Sequence, residues 1–541
     1  MTSFRNADTG AALAAAVRQG YLRGQSDYGF EPLVVGDANG QAIGRIADGD
    51  TVVFCCRRGE REIQLTEAFT QPEFPHFARP ALRDLNFIIL TLYHEKFKDL
   101  PVAFAPTRIK DTLAEVVSRA GLRQLHLAES EKFAHVTFFF NGGSNEHFAG
   151  EDDARVPSPK GVPYDQVPQL SLPQVTDRLI DGINEGYDFI VTNFANGDVI
   201  GHTQNGPAKV ACAESLDTHL GRVLAAARAA GYVVMITADH GILEVLNTPD
   251  GKPNVAHTTN KVAFVVVDPW AGDPPVLRDG VLADLAPTIL QAMGIPAPDA
   301  MTGANLVPGR DWGGKRRMLL LILDGWGLGT PDENNPIHMA RTPVWDELLR
   351  GYPHSRLRAS GDAVGLQPDK AGNSEAGHTN IGAGRVVMQD DVRLDQAMQD
   401  GSFYRNEILL NAIAQTRQKG KRLHLISLLT EKSSHGSIDY PLALLRMAKS
   451  GGLREVFVHL ILDGRSTEPG SAPLLIEKLA ARMNEIGVGQ IVTGVGRGLA
   501  LDRDGNYPKT QRAYDAMVLG TGTAAPLANR DVPTVVEGWG R

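Results

Sequence analysis

Met318-Leu319-Leu320-Leu321-Ile322-Leu323 is an aliphatic run with no polar break, and it stops at Asp324-Gly325. A strand of this kind has no face to offer water, so it belongs inside a sheet covered on both sides. Runs at 189–193, 233–237, 262–267, 423–426 and 456–461 share the pattern, and the last closes on a similar Leu462-Asp463-Gly464. Helical patterns lie between them. One covers 111–120, with Asp111 as its cap, Leu113, Val116 and Val117 on one face, and Gly121 as its stop; another covers about 210–230. The alternation predicts an α/β fold with mostly parallel sheets.

At 541 residues the chain is long enough for two domains, each with its own core. A net charge of -9 without a long Lys/Arg run argues against a nucleic-acid partner, although a local basic pocket for an anion remains compatible with it. Cys55, Cys56 and Cys212 cannot form a disulfide scaffold and read as reduced thiols. Residues 1–8 lack the basic and apolar regions of a signal peptide, and no apolar stretch reaches membrane-spanning length. The expectation is a cytoplasmic protein with no membrane partner.

The chemistry is carried by Gly372-Asn373-Ser374-Glu375-Ala376-Gly377-His378, a serine in a Gly-bearing turn. A serine hydroxyl is a poor nucleophile until a divalent cation lowers its pKa, and carboxylates and imidazoles hold such a cation. Asp198, Asp239, His240 and Asp324 all follow predicted strands, where ligands of open α/β sheets gather. Asp198 and His202 are four residues apart and face the same way on a helical turn. Asp239 and His240 are adjacent, so their side chains are expected to diverge toward different ions. With His257 and Ser374 these make seven candidate ligands, enough for two cations. Mixed oxygen and imidazole donors suit Mn²⁺, with Mg²⁺, Co²⁺ or Zn²⁺ as alternatives.

Five motifs resemble the cofactor-independent phosphoglycerate mutases of the alkaline phosphatase superfamily. They are Leu323-Asp324-Gly325-Trp326-Gly327, the stretch from Gly372 through Asn380-Ile381-Gly382-Ala383-Gly384-Arg385, Thr237-Ala238-Asp239-His240-Gly241, Ala256-His257-Thr258-Thr259-Asn260, and Glu131-Lys132 with His135-Val136-Thr137-Phe138-Phe139. Their order is abnormal. The segment resembling the family's start begins near Arg317, and the segment resembling its end lies near Pro308. The chain therefore resembles a circular permutation of the family, with 307–317 (VPGRDWGGKRR) as the join and Met1 and Arg541 expected close together.

The resemblance implies an alkaline-phosphatase-like domain, a doubly wound parallel sheet, from 107–308 and 317–389, with 309–316 as linker. A smaller α/β transferase-like domain would come from 390–541 and 1–106, the two opening and closing about 104–108 and 388–392. It implies one cation on Asp198, His202 and His257, and another on Asp324, Asp239, His240 and Ser374. Ser374 would become a phosphoserine, and Lys132, placed before a strand-like run at 135–139, would neutralise charge on the transferring group. His435, Arg465, Arg497, Arg503, Arg58 and Arg61 would hold the substrate's carboxylate and phosphate, for which guanidinium forks are suited.

Departures from the family pattern concentrate in the transferase-like part. Asp463-Gly464-Arg465-Ser466 has Ser466 where the family carries the acid–base Asp, and a serine hydroxyl is a far weaker proton carrier. Arg58-Gly59-Glu60-Arg61 and Glu431-Lys432-Ser433-Ser434-His435-Gly436-Ser437 also differ, and Glu244 stands where Asn is usual. The first reading is therefore an isomerase of glycolysis interconverting 3-phosphoglycerate and 2-phosphoglycerate through Ser374, with two divalent cations, no bisphosphoglycerate, and a monomeric state. The alternative is a divergent relative acting on a related phospho- or phosphono-hydroxy acid, as in phosphonate natural-product pathways. A non-catalytic phosphoacid-binding or assembly protein is the third reading, and seven retained ligands argue against it.

Overall fold

The computed structural model describes residues 6–57, 61–106, 108–269, 274–431, 433 and 435–527. Arg58, Gly59 and Glu60, the expected closeness of Met1 to Arg541, and the polar segment 531–541 lie outside the described residues. After a helix at Asn6–Leu22 the first part of the chain holds three strands, β1 (Leu33–Gly36), β2 (Thr51–Phe54) and β3 (Asn86–Ile89). The middle holds β4 (Gln124–Glu129), β5 (Glu151–Val156), β6 (Phe189–Phe194), β7 (Val233–Thr237), β8 (Val262–Val267), β9 (Gly280–Val281), β10 (Met318–Leu323) and β11 (His354–Arg358). It ends with β12 (Leu423–Leu429), β13 (Val456–Leu462), β14 (Gln490–Gly496) and β15 (Thr523–Pro526).

Two units result, Thr107–Val392 and a smaller one made of Met1–Pro106 with Arg393–Arg541. The sheet of the larger unit has the order β5-β4-β6-β10-β7-β8-β11-β9. From β5 to β7 every pair is parallel, whereas β8 runs antiparallel to both β7 and β11. The smaller unit's sheet, β15-β1-β14-β13-β12-β2-β3, is parallel except that β1 opposes β14. Both sheets are thus mixed. Apolar runs such as 262–267 report burial on two faces but say nothing of direction, which is set by how the chain returns to the sheet.

Burial on both faces explains the composition of these strands. In β2, Val53 packs into one apolar cluster while Val52 and Phe54 pack into another, so alternate side chains cover opposite faces of one sheet. In β10 every residue from Leu319 to Ile322 is fully buried, and each such side chain contributes ~1.5–3 kcal/mol by leaving water. All three cysteines are buried and free. No helix among the described residues is long and apolar enough to cross a membrane.

Three local expectations are corrected. The helix after 111 runs Leu113–Arg119 and is capped by Thr112, whose Oγ1 accepts from the Glu115 amide at 3.4 Å; Asp111 instead occupies a left-handed turn at φ 58°. The helix expected from 210 begins four residues earlier, at Gly206–Ala229, because Asn205 caps it. The strand-like run after Lys132 is a turn of π-helix, His135–Phe139, whose closing bond runs from the Phe140 amide to the His135 carbonyl at 3.2 Å. Both edges of β4 are already taken by β5 and β6, so the run has no strand edge to join. The join at 307–317 carries no helix or strand, but Val307 and Trp312 anchor it in the core.

Candidate active site

Parallel pairing in register brings the carboxyl ends of β6, β10 and β7 side by side: Leu323 lies opposite Phe194, and Ile322 opposite Thr237. The chain leaves β6 into the short helix Asn196–Gly201, which carries Asp198 and sets His202 one turn on. Asp324 follows β10 directly, and Asp239 and His240 follow β7. Only glycine allows so close an approach. A Cβ on Gly197 would lie 2.4 Å from the Asp324 carbonyl oxygen, and one on Gly325, at φ 76°, would lie 2.7 Å from the Asp198 amide.

Ser374 is the first residue of the helix Ser374–Ala383, capped by Asn373, whose Oδ1 accepts from the Ala376 amide at 2.8 Å. Lys132 Nζ lies 2.6 Å from Ser374 Oγ, 2.6 Å from Asp198 Oδ2 and 3.1 Å from the Asp324 carboxylate. His240 Nε2 lies 3.0 Å from Ser374 Oγ, and Asp324 Oδ1 accepts from that hydroxyl at 3.3 Å. Asp239 and His240 do not diverge as expected: His240 Nε2 stands 3.5 Å from Asp239 Oδ2. The alternation rule applies to extended backbone, and both residues lie beyond the end of β7.

On the outer side, Asp198 Oδ1 lies 3.1 Å from His257 Nε2 and 3.2 Å from His202 Nε2, and the two Nε2 atoms are 3.0 Å apart. The other nitrogen of each ring donates to a carbonyl: His202 Nδ1 to Val255 at 2.9 Å, His257 Nδ1 to Gly372 at 2.8 Å. That assigns the lone pair to Nε2 in both rings. Two lone pairs and a carboxylate oxygen converging at these separations repel unless a cation lies among them. Deeper in, Asp239 Oδ2 is buried without a hydrogen-bond partner. The residues fit divalent cations on both counts.

The electrostatics agree. Burial alone would raise the Asp198 carboxyl, but the neighbouring His202 and His257 imidazoles and the Lys132 charge carry it well below the usual range. Asp239, also raised by burial, is pulled well down by His240, His378 and Lys132. Asp324 shifts upward, from burial and from the Asp239 charge beside it. Burial opposes the Lys132 ammonium, yet Asp324 and Asp198 hold its pKa above the ordinary value. Three buried carboxylates facing one ammonium leave net negative charge, as a cation site requires.

Two supporting residues are missed by sequence reasoning. Asn193 Nδ2 donates to Asp324 Oδ2 at 2.7 Å and lies 3.0 Å from His378 Nε2, and His378 Nδ1 lies 3.4 Å from Asp239 Oδ2. Their signals were a polar residue ending the apolar run 189–193 and a histidine one turn after the serine. Glu244, buried, accepts from the Asn260 side chain at 2.9 Å and the Gly327 amide at 3.2 Å, and from Thr258 Oγ1. It ties the loop before β8 to the loop after β10. A third cluster, His126 with Glu151 and Asp153, has its imidazole nitrogens 2.6 Å from the Val136 carbonyl oxygen and 3.2 Å from Gln124 Oε1.

In the smaller unit the parallel strands β14, β13, β12 and β2 end together. Arg497, after β14, forms a buried ion pair with Asp463, after β13. Arg61 is buried and donates from Nη1 to the Leu501 carbonyl at 3.1 Å. His435, after β12, lies 3.3 Å through Nδ1 from Glu62 Oε1. Arg465, Ser466, Glu468 and Arg503 are exposed.

A family model described as the metalloenzyme superfamily matches residues 18–297, and one described as the BPG-independent PGAM N-terminus matches 394–537. The first contains Lys132, Asp198, His202, Asp239, His240 and His257; Asp324 and Ser374 lie outside both. The 2,3-bisphosphoglycerate-independent phosphoglycerate mutase of Syntrophotalea carbinolica is 46% identical over 297 residues, covering 54% of this chain and 57% of that protein. That of Moorella thermoacetica is 44% identical over 294 residues, covering 54% and 56%. The chain thus spans a little over half the length of these curated relatives. A crystal structure of Leishmania mexicana phosphoglycerate mutase at low cobalt concentration aligns with a TM-score of 0.38 and 25% identity, over 50% of this chain and 53% of that one.

Proposed function

The chain belongs to the metalloenzyme superfamily, and from that premise we propose that it interconverts 3-phosphoglycerate and 2-phosphoglycerate through a phosphoserine on Ser374. The observation that carries this reading is the convergence of Lys132, His240 and Asp324 within 3.3 Å of one serine oxygen. Asp198, His202 and His257 would hold one divalent cation, and Asp324, Asp239, His240 and Ser374 the other, with Mn²⁺ favoured by the mixed donors. Such cations, when bound, neutralise phosphoryl charge and acidify the serine hydroxyl.

The chain's own groups do the rest. Lys132 Nζ, 2.6 Å from Oγ, stabilises the serine oxygen as it loses its proton and then the oxygens of the arriving phosphoryl group. Ser374 opens a helix, so the phosphoryl group it accepts sits where backbone N–H groups and the helix dipole favour negative charge. Arg497, Arg61, Arg465, Arg503, Arg58 and His435 are the groups we assign to the hydroxy acid's carboxylate and phosphate. No bisphosphoglycerate enters this scheme, and the protein is read as a cytoplasmic monomer. We also infer a circular permutation, supported by the position of the match named for the family's N-terminus, 394–537, after the metalloenzyme match at 18–297.

Phosphorus NMR of purified protein with Mn²⁺ and 3-phosphoglycerate tests the reading. The expected result is formation of 2-phosphoglycerate without added bisphosphoglycerate, lost by ~10³-fold or more in S374A. Substantial turnover in S374A would sink the phosphoserine route.

A further inference from the structure

Asp324, Asp239 and His240 follow strands directly, but His257 does not. It lies on the loop that returns from β7 to β8, and Val255 and Ala256, just before it, are exposed. A stretch with so little buried surface is held in place by its hydrogen bonds more than by packing. His202, the other imidazole of the outer group, depends on the same loop, since its Nδ1 donates to the Val255 carbonyl at 2.9 Å. Where residues 254–257 lie therefore sets the direction of both Nε2 lone pairs.

One side chain reaches this loop from inside the core. Lys209, a turn into the helix Gly206–Ala229, is 1% exposed, and its Nζ donates to the Asn254 carbonyl at 2.6 Å. The segment 202–209 thus grips two consecutive carbonyls, Val255 through His202 and Asn254 through Lys209. Asn254, itself buried, carries the hold onward: its Nδ2 donates to the Ala256 carbonyl at 2.9 Å, and its Oδ1 accepts from the Ala256 amide at 3.3 Å. Its own amide donates to the Leu246 carbonyl at 2.8 Å. Drying an ammonium is costly, and burial pushes that of Lys209 down to about 8, with the Glu244 charge opposing the shift. Glu244 is committed to Thr258, Asn260 and the Gly327 amide. Filling the space calls only for an apolar side chain; the ammonium adds a directed grip on one carbonyl.

Resting on the assignment of one cation to Asp198, His202 and His257, we propose that Lys209 is a positioning residue for that site. It holds the Asn254 carbonyl so that the Nε2 atoms of His202 and His257 stay converged on Asp198 Oδ1. Lys209 touches none of the ligand atoms itself and acts through the loop. The second group has its ligands at the ends of β7 and β10 and at the start of the helix Ser374–Ala383, none of them on residues 254–257. Loss of the Lys209 grip therefore weakens one cation and spares the other. Partners that orient a metal-bound imidazole are commonly worth ~10–100-fold in metal affinity. Lys209 stands one step further out, so the lower end of that range applies.

The test is a Mn²⁺ titration of metal-free protein, with the free ion followed by EPR, on wild type, H257Q, K209M and K209Q. Wild type should bind two ions, and H257Q should lose or strongly weaken one of them, which identifies the outer class. K209M should raise the Kd of that class by ~10-fold while the other class moves less than ~3-fold. K209Q, which keeps an N–H donor without the charge, should recover part of the loss. Unchanged Kd values in K209M overturn the proposal. So does an equal weakening of both classes, which is what a general loosening of the fold would give. If H257Q binds Mn²⁺ as wild type does, the assignment of this cation site falls, and the role of Lys209 falls with it. The H257Q result alone thus tells the two failures apart. A thermal melt in chelator shows which variants are folded, and K209Q carries the comparison, with the same selectivity expected, if K209M does not fold.

Discussion

Lys132 is the most informative residue to perturb, because removing its ammonium leaves Asp198 and Asp324 buried without it. Its Nζ lies 2.6 Å from one carboxylate and 3.1 Å from the other. At an effective dielectric constant of ~20, such separations correspond to gross attractions of ~5–6 kcal/mol each. Drying the ammonium offsets much of this, and breaking a buried pair from one side costs ~3–5 kcal/mol net. In a unit of this size ~1 kcal/mol moves Tm by ~2–4 °C, so K132M should melt ~6–20 °C below wild type. The comparison belongs in chelator at neutral pH, because Mn²⁺ at a hundredfold excess over its Kd stabilises a folded protein by ~2.7 kcal/mol and masks the difference. K132R, which keeps the charge, should fall between the two. A metal-free K132M within ~1 kcal/mol of wild type would refute the argument: the carboxylates would then be held by something other than this ammonium.

Three further outcomes can be checked. Burial pushes the Glu129 carboxyl up to about 7, so its contribution to stability is full below pH ~4.5 and is lost as pH rises through about 7. E129Q should therefore be more stable than wild type by ~3 kcal/mol at pH ~8 in urea titrations, with the advantage gone near pH ~4. Burial holds His126 down at about 4, so its stabilising effect is present above pH ~6.5 and lost as pH falls through about 4; an NMR midpoint above 6 would contradict this. A Cβ on Gly382 would lie 2.0 Å from the Phe140 carbonyl oxygen, whereas one on Gly351 meets nothing within 4 Å. G382A should cost ~1–3 kcal/mol by urea denaturation, and G351A should be neutral or slightly stabilising.

Much of the fold is legible along the chain because long strands buried on both faces leave a local signature. The runs 233–237, 262–267 and 318–323 coincide with β7, β8 and β10, since a strand covered on both faces must be apolar throughout. β4 is not legible in this way. Gln124, His126 and Glu129 make it look half-exposed, yet they are buried, with the Ala114 and Val136 carbonyls and the Ser171 amide as partners. β14, with Gly494 and Gly496, and the four-residue β1 and β2 give too little pattern to read. The candidate site divides similarly. Asp198, Asp239, His240 and Asp324 stand out because strand ends are where ligands collect, but Asn193, His378 and Glu62 look ordinary until their partners are known.

Local sequence by itself determined that the unbroken apolar runs are buried, where such runs end in carboxylates, and which serine stands in a Gly-bearing turn, because these depend on neighbours along the chain. The tertiary structure alone decided strand direction, the meeting of Lys132 with Ser374 across 242 positions, and the pressing of His435 against Glu62 across 373. Such contacts depend on which strand ends lie side by side, and short-range periodicity carries no record of that order.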